Sequence, residues 1–177
     1  MTLRRIARLV VLSACLGAVA SAGCSREGSE VAGAPAEPWP EGLAKPADVA
    51  EAQALRSAGT SWTNKQARQL YLERVATIAG ADAKWKAEGL PAEDRARRAF
   101  AIRHEARRTA RAMMGDPSEV TALQERDRAK YGSPDGPTFE FLVDKARAKG
   151  LTGDAIYESI VESAQKTDAG TNQSMGL

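Results

Sequence analysis

The sequence predicts an all-α fold, a compact bundle of five to six short helices that follows a signal peptide and a disordered tether. Beyond residue 60 the chain has no strand-like alternation of apolar and polar residues, and valine and isoleucine are few. Apolar residues recur instead at helical spacing. Glycines and helix-capping residues separate these apolar segments, as expected at the boundaries between helices.

Residues 1–23 have the pattern of a signal peptide. The n-region of the leader carries Arg4, Arg5 and Arg8, and an apolar core follows from Leu9 to about Ala20. That core has roughly a dozen residues, whereas a membrane-spanning helix needs about 20. We therefore expect an exported protein whose leader is removed.

Cys24 follows the leader directly, and we expect it to be lipidated. Ser21-Ala22-Gly23-Cys24 is similar to the lipoprotein signal, although the first position is usually leucine. Ala20-Ser21-Ala22 also fits ordinary cleavage, which would give a soluble secreted protein with an unpaired thiol. Lipidation accounts for that thiol in an oxidising compartment. Because Ser25 is not a retention aspartate, the expected location is the cell envelope, at the outer membrane facing the periplasm.

Residues 24–60 are predicted to be the lipidated cysteine and a flexible tether. Proline, alanine and glycine dominate this segment and large apolar residues are sparse, so its ordering would not repay the lost entropy. Trp39 is the exception: it either docks on the domain or a partner, or is simply an exposed aromatic in a linker. Val49 to Leu55 could form a short helix.

Charge and size limit the partners and the fold. The full chain has a net charge of +2, and three of its arginines lie in the leader, which leaves about −1 after cleavage. A mature chain of that charge gives no reason to expect a nucleic-acid partner. With Cys24 its last cysteine, it cannot form an internal disulfide. Residues 61–177 must therefore fold by packing alone, and their number suffices for one small domain.

The first half of residues 61–177 predicts three helices. A helix begins at Thr63 or Asn64 and ends at Gly80, and a short helix over about 82–88 ends at Gly89. The longest helix runs from Pro91 to about Met114, with proline in its first turn. The inward residues of the first of these helices are Leu70, Tyr71, Val75 and Ile78, and those of the longest are Ala96, Ala99, Phe100, Ala106, Ala110 and Met113.

The second half predicts three more helices. Asp116 caps a helix whose first position is Pro117 and whose end is Gly132. Thr138 caps a helix to about Lys149, and Thr152 caps the last one to about Gln165. The residues from Thr167 to Leu177 are predicted to be irregular. The inward residues of the last two helices are Phe139, Leu142, Val143 and Ala146, and then Ile156, Ile160, Val161 and Ala164.

The sequence has no constellation that predicts catalysis, a metal or another cofactor. His104 is the only histidine, and a general base needs an orienting partner that its neighbours in sequence do not supply. No G-x-S-x-G elbow is present, and one histidine gives no zinc cluster. Carboxylates in or beside the most loop-like region could in principle hydrolyse glycosides, but they are more often solvated. These carboxylates are Glu125, Asp127, Asp135 and Glu140.

The longest helix has an excess of arginines, seven against three acidic residues. Guanidinium groups suit bidentate pairing with carboxylate or phosphate. The arginines on this helix therefore either contact anionic headgroups or an acidic partner, or form a solvated face paired with neighbouring helices. Arg103, Arg107 and Arg111 are the candidates for partner binding.

The segment from Tyr131 to Phe139 is the most specified turn, because two prolines and two glycines fix it. Its spacing resembles a calcium loop, but aligning Gly136 with the invariant glycine puts Tyr131 and Leu142 where carboxylates are required. The segment is therefore interpreted as a rigid turn between two helices or as a partner-binding turn. Tyr131, Asp135 and Phe139 are its candidate binding residues.

The C-terminal half resembles small exported bacterial proteins, and more loosely the accessory proteins of secreted phospholipase C. The residues that carry this resemblance are Glu125-Arg126-Asp127, Tyr131 to Phe139, Gly150 to Tyr157, and Ser163 to Asp168. It implies a non-enzymatic helper that binds a lipolytic enzyme during export.

We therefore expect a non-enzymatic binding protein, a chaperone, accessory protein or inhibitor, for an exported enzyme such as a phospholipase. The lipid anchor would supply its membrane contact. The alternatives are a structural envelope lipoprotein with no single client and, less favoured, a weak hydrolase.

Overall fold

The computed structural model describes residues 38–166, and this part of the chain is entirely helical and turn structure. The all-α prediction is confirmed. The predicted signal peptide, Cys24 with its predicted lipidation, and the predicted irregular segment from Thr167 onward lie outside the described residues. Between residues 38 and 166, no helix has the length and apolar character needed to cross a membrane. The helices are α1 (Val49–Ser57), α2 (Asn64–Ala87), α3 (Ala92–Met113), α4 (Pro117–Tyr131), α5 (Phe139–Ala148) and α6 (Asp154–Gln165).

Helix α3 lies at the centre of the bundle, in contact with α1, α2 and α6. Alanines make up half of the buried residues of α3, and small side chains allow neighbouring helices to approach closely. The predicted inward residues of α3 are buried except Phe100, which is half-buried. The buried alanines of α3 are Ala92, Ala96, Ala99, Ala106 and Ala110.

Three of the predicted helix starts are confirmed by their caps. The Thr63 side chain accepts from the backbone N–H of Gln66 in a capping box. The Asp116 side chain accepts from Ser118 N at 2.7 Å, and Thr138 Oγ1 accepts from Phe141 N at 3.1 Å. Each cap satisfies a backbone N–H that has no partner inside its helix.

Two other helix starts differ by one residue from the prediction. Pro91 precedes α3 as its cap instead of occupying the first helical position. Gly153, with φ of +54°, replaces Thr152 as the residue before α6. A positive φ favours glycine, which explains why the chain enters α6 at this residue.

Gly80 does not end a helix, so the prediction of two helices over residues 64–88 is wrong. Helix α2 runs without a break from Asn64 to Ala87. A glycine inside a helix costs about 1 kcal/mol relative to alanine. Ile78 and Asp82, which lie on either side of Gly80 in the sequence, are both buried. Their packing holds α2 against its neighbours and outweighs the cost of the glycine.

Residues 38–60 pack on the domain, so the flexible tether does not extend to residue 60. Trp39 Nε1 donates to Leu43 O at 2.8 Å, and Trp62 Nε1 donates to Ala44 O at 3.0 Å. Helix α1 lies against α3 and buries Ala52 completely. The composition of this segment predicted disorder. Two indole rings hold it in place instead, because each combines an apolar body with an N–H donor.

Candidate functional site

The turn between α4 and α5 is the feature that the sequence marked most clearly. Helix α4 ends at Tyr131, and the cap residue Gly132, with φ of +73°, starts the change of direction. Arg107 Nη1 donates to Asp135 O at 3.0 Å, and Arg111 Nη1 donates to Pro134 O at 2.9 Å. Two arginines of α3, one helical turn apart, therefore fix the backbone of the turn.

Arg111 also forms a buried ion pair with α4. Its Nη2 lies 2.5 Å from Asp127 Oδ2, and both residues are 2% exposed. Arg126 Nη2 lies 3.3 Å from the other carboxylate oxygen. A buried charge is tolerated when it is paired and hydrogen-bonded, and this pair ties α4 to α3.

Arg107 is buried without such a carboxylate. It is 4% exposed, and its one hydrogen bond within the described residues is to the carbonyl of Asp135. The carboxylate of Asp135 instead lies 3.6 Å from Arg108 Nε. Burial lowers the pKa of Arg107, and the nearby charges of Arg111 and Arg103 lower it further.

Arg103 contacts the end of α6. Its Nη1 donates to the carbonyl oxygens of Ser163, Ala164 and Lys166 at 2.6, 2.8 and 3.0 Å. These carbonyls lie at the C-terminal end of α6, where the helix dipole favours a positive charge. Arg103 therefore supports the end of α6 against α3.

The predicted binding residues thus divide into two groups. Arg107, Arg111 and Phe139 are buried, so a partner protein's surface could meet the turn that the arginines hold but not these side chains. Tyr131, Asp135 and Arg103 are half-buried. The accessible part of the predicted set is therefore Tyr131 and Asp135 in the turn, together with Arg103 beside the end of α6.

A groove lies beside the turn, between α3, α5 and α6, with a volume of about 230 Å³. One part of its lining is apolar and another is basic, and no acidic residue among residues 38–166 contributes to it. The apolar lining is Phe100, Pro137, Phe141, Leu142, Ile160 and Ala164; the remaining lining residues are Arg103, His104, Arg107, Tyr131, Lys145 and Ser163.

Aromatic contacts shape the two ends of this groove. The rings of Tyr131 and Phe141 meet edge to face with centroids 5.0 Å apart. The rings of Phe100 and Phe139 do the same at 5.6 Å, and His104 stacks on Phe100 at 5.4 Å. Such pairs hold their rings in defined orientations.

His104 has a depressed pKa. Burial lowers it first, and the charges of Arg107 and Arg108 lower it further, against the opposing effect of Asp135 and Glu105. Within the described residues no carboxylate hydrogen-bonds to its ring, and a general base of the triad type needs such an orienting partner.

The four candidate carboxylates for hydrolysis lie in different environments. Asp127 is buried in the ion pair with Arg111, and Asp135 faces Arg108, while Glu125 and Glu140 are exposed. Between residues 38 and 166, no three side chains of the metal-binding types come together.

A second buried ion-pair cluster joins α2, α3 and α6, and sequence reasoning missed it. Arg95 Nη1 lies 2.7 Å from Asp82 Oδ1, and Arg95 also pairs with Glu158. Lys86 reaches both acids, at 3.1 and 3.5 Å. Burial alone would raise the pKa of Asp82, but hydrogen bonds from Arg95 and Lys86 hold it below its usual range. The i, i+4 spacing of Asp82 and Lys86 was the available signal.

Comparison of the chain with protein-family models, with curated proteins and with solved structures found no match.

Proposed function

We propose that this chain is an exported lipoprotein, anchored through Cys24, that acts as a non-enzymatic binding protein for a secreted enzyme. It would work as a chaperone, an accessory protein or an inhibitor in the cell envelope. A phospholipase is the client class that the sequence resemblance suggests.

The observation that carries this proposal is the turn held by Arg107 and Arg111. Their bonds to the carbonyls of Asp135 and Pro134 fix a surface turn from beneath. A surface that is ordered before binding loses less conformational entropy when a partner docks. The side chain of Asp135 is 29% exposed and can still reach a partner, with Tyr131 next to it.

The charges around the turn support binding more than catalysis. Asp135 faces Arg108, and the ring of His104 has no carboxylate hydrogen-bonded to it within the described residues. Charged groups at the rim of a docking surface guide a partner and fix its orientation.

The test is a pull-down from envelope and secreted fractions with residues 25–177, read by mass spectrometry. Asp135→Ala should reduce capture of the client, because it removes the exposed carboxylate of the turn. Asp144→Ala is the matched control, since Asp144 is an exposed aspartate of α5 outside the turn and the groove. Circular dichroism should show equal helicity for both variants.

Each outcome has a definite meaning. One stoichiometric enzyme in the eluate supports the proposal, and adding the protein to that enzyme separates activation from inhibition. Capture that Asp135→Ala and Asp144→Ala leave equally unchanged would place the docking surface elsewhere. An eluate with no specific protein would favour a structural envelope lipoprotein. Turnover of a substrate that a His104 substitution abolishes would favour a hydrolase.

A further inference from the structure

The groove beside the turn has an apolar side and a charged side, which match the two parts of a small amphiphile. Its apolar side includes Phe100, Leu142 and Ile160, and its basic side includes Arg107 and Lys145. A site lined mostly by apolar side chains, with a few polar groups that converge, is the usual form of a small-molecule pocket. No acidic residue of the described part of the chain lines this groove beside Arg107 and Lys145.

Arg107 is the group that selects the ligand. Its Nη1 donates to Asp135 O and its Nε is closed to solvent, whereas no described residue accepts from its Nη2. The two N–H hydrogens of Nη2 can donate to a carboxylate oxygen in a charge-assisted hydrogen bond. A buried cation without an anion is unfavourable, so an anion at Nη2 would remove that penalty.

We propose that this groove binds a medium-chain fatty acid, with its carboxylate at Nη2 of Arg107 and its acyl chain along Leu142 and Ile160. The groove has a volume of about 230 Å³ and an apolar wall beside its basic residues, so an acyl chain of medium length can lie along that wall with its carboxylate at Arg107. Longer chains would extend out of the open side.

Lys145 supplies a second positive charge at the rim of the groove. It is exposed on α5, and no ion pair with a described residue engages it. Its role is to attract the anion, whereas Arg107 makes the direct contact. Tyr131 belongs to both proposed surfaces, whereas Leu142, Ile160 and Lys145 line only the groove, so variants of these three residues test ligand binding apart from the client.

The experiment titrates octanoate into the full chain carrying Cys24→Ser, with calorimetry for affinity and methyl NMR for location. Octanol has a similar chain without the charge, and acetate has the charge without the chain. We expect octanoate to bind at least about tenfold more tightly than either, because both halves of the groove are needed. The methyl signals of Leu142 and Ile160 should shift, and those of Ile78, buried in α2 and not part of the groove lining, should not.

Two substitutions and a control test the assigned residues. Arg107→Gln should weaken octanoate binding about tenfold or more, because it removes the charged partner of the carboxylate. Lys145→Gln should weaken it by about threefold through the lost attraction. Lys149→Gln removes an equivalent exposed charge four residues further on, outside the groove, and should leave the affinity unchanged.

Several results would overturn the proposal. These are equal binding of octanol and octanoate, no shift at Leu142 and Ile160, or equal losses in Lys145→Gln and Lys149→Gln. Tighter binding of octyl phosphate would assign the groove to a phosphorylated headgroup instead. If Arg107→Gln fails to fold, Leu142→Ala, which shortens the apolar wall, decides the matter: unchanged octanoate affinity in that variant would also refute the proposal.

Discussion

The guanidinium of Arg107 lies directly against the backbone of Gly136. A Cβ added at Gly136 would meet Arg107 Nη1 at 2.2 Å and Cζ at 2.9 Å. Gly136 also has a φ of +96°, which side chains rarely tolerate. Position 136 therefore requires glycine for two reasons: its backbone conformation, and the space that the guanidinium of Arg107 occupies beside it.

Gly136→Ala should consequently destabilise the protein and disturb the groove. The left-handed conformation alone costs alanine roughly 1–2 kcal/mol, and the clash with Arg107 adds to that cost. Urea unfolding measures the loss. Gly132→Ala is the matched control, because Gly132 has φ of +73° but nothing within 4 Å of its added Cβ. Equal losses in the two variants would contradict the close contact with Arg107.

Gly80→Ala should change stability in the opposite direction. Gly80 lies inside α2, is exposed, and has nothing within 4 Å of an added Cβ. Alanine in a helix interior is more favourable than glycine by roughly 0.5–1 kcal/mol. A higher midpoint of thermal unfolding would confirm this gain. A lower midpoint would mean that α2 is not continuous at this residue.

Asp127→Ala should be the most damaging of the carboxylate substitutions. It leaves the buried guanidinium of Arg111 without its ion pair, and breaking such a pair costs about 3–5 kcal/mol. Asp144→Ala removes an exposed pair with Arg147 and should cost less than about 1 kcal/mol. Denaturant unfolding of both variants provides the comparison. Similar small losses would show that Arg111 is not buried in this way.

His104 should make stability fall as the pH drops below about 6.5, its ordinary pKa. Because burial lowers its pKa in the folded state, the unfolded chain takes up the proton first. Stability is therefore full above the ordinary pKa, declines as the pH falls below it, and levels off at the lower folded pKa.

His104→Gln should remove this slope, since no other histidine is present. Unfolding free energies of both proteins from pH 7.5 to about 5 test the difference. An NMR titration midpoint for His104 at or above its ordinary pKa would contradict the expected direction.

Local signals in the sequence predicted most of the helices, while one boundary depended on contacts between distant residues. Asp116 and Thr138 cap their helices because the cap needs only the next few residues. Gly80 is helical because residues on both sides of it pack against other helices. A single window of sequence does not contain that information.

The site was predicted only in part, for a similar reason. Asp135 and Tyr131 were identified from the turn chemistry of their segment. The burial of Arg107 and Arg111 was not foreseen, because a helix rich in arginine usually presents them to solvent. A usable signal was present: these arginines adjoin Ala106 and Ala110 on the same helix, which places them beside its inward face.

The packing of residues 38–60 changes the distance at which the domain can work if Cys24 is anchored as proposed. Only residues 25–38 then separate the anchor from the docked indole of Trp39, and fourteen residues span at most about 50 Å. A free segment up to residue 60 would span more than twice as far. The domain would then work only within a thin layer next to the bilayer. Molecules that leave the membrane have a high effective concentration in that layer.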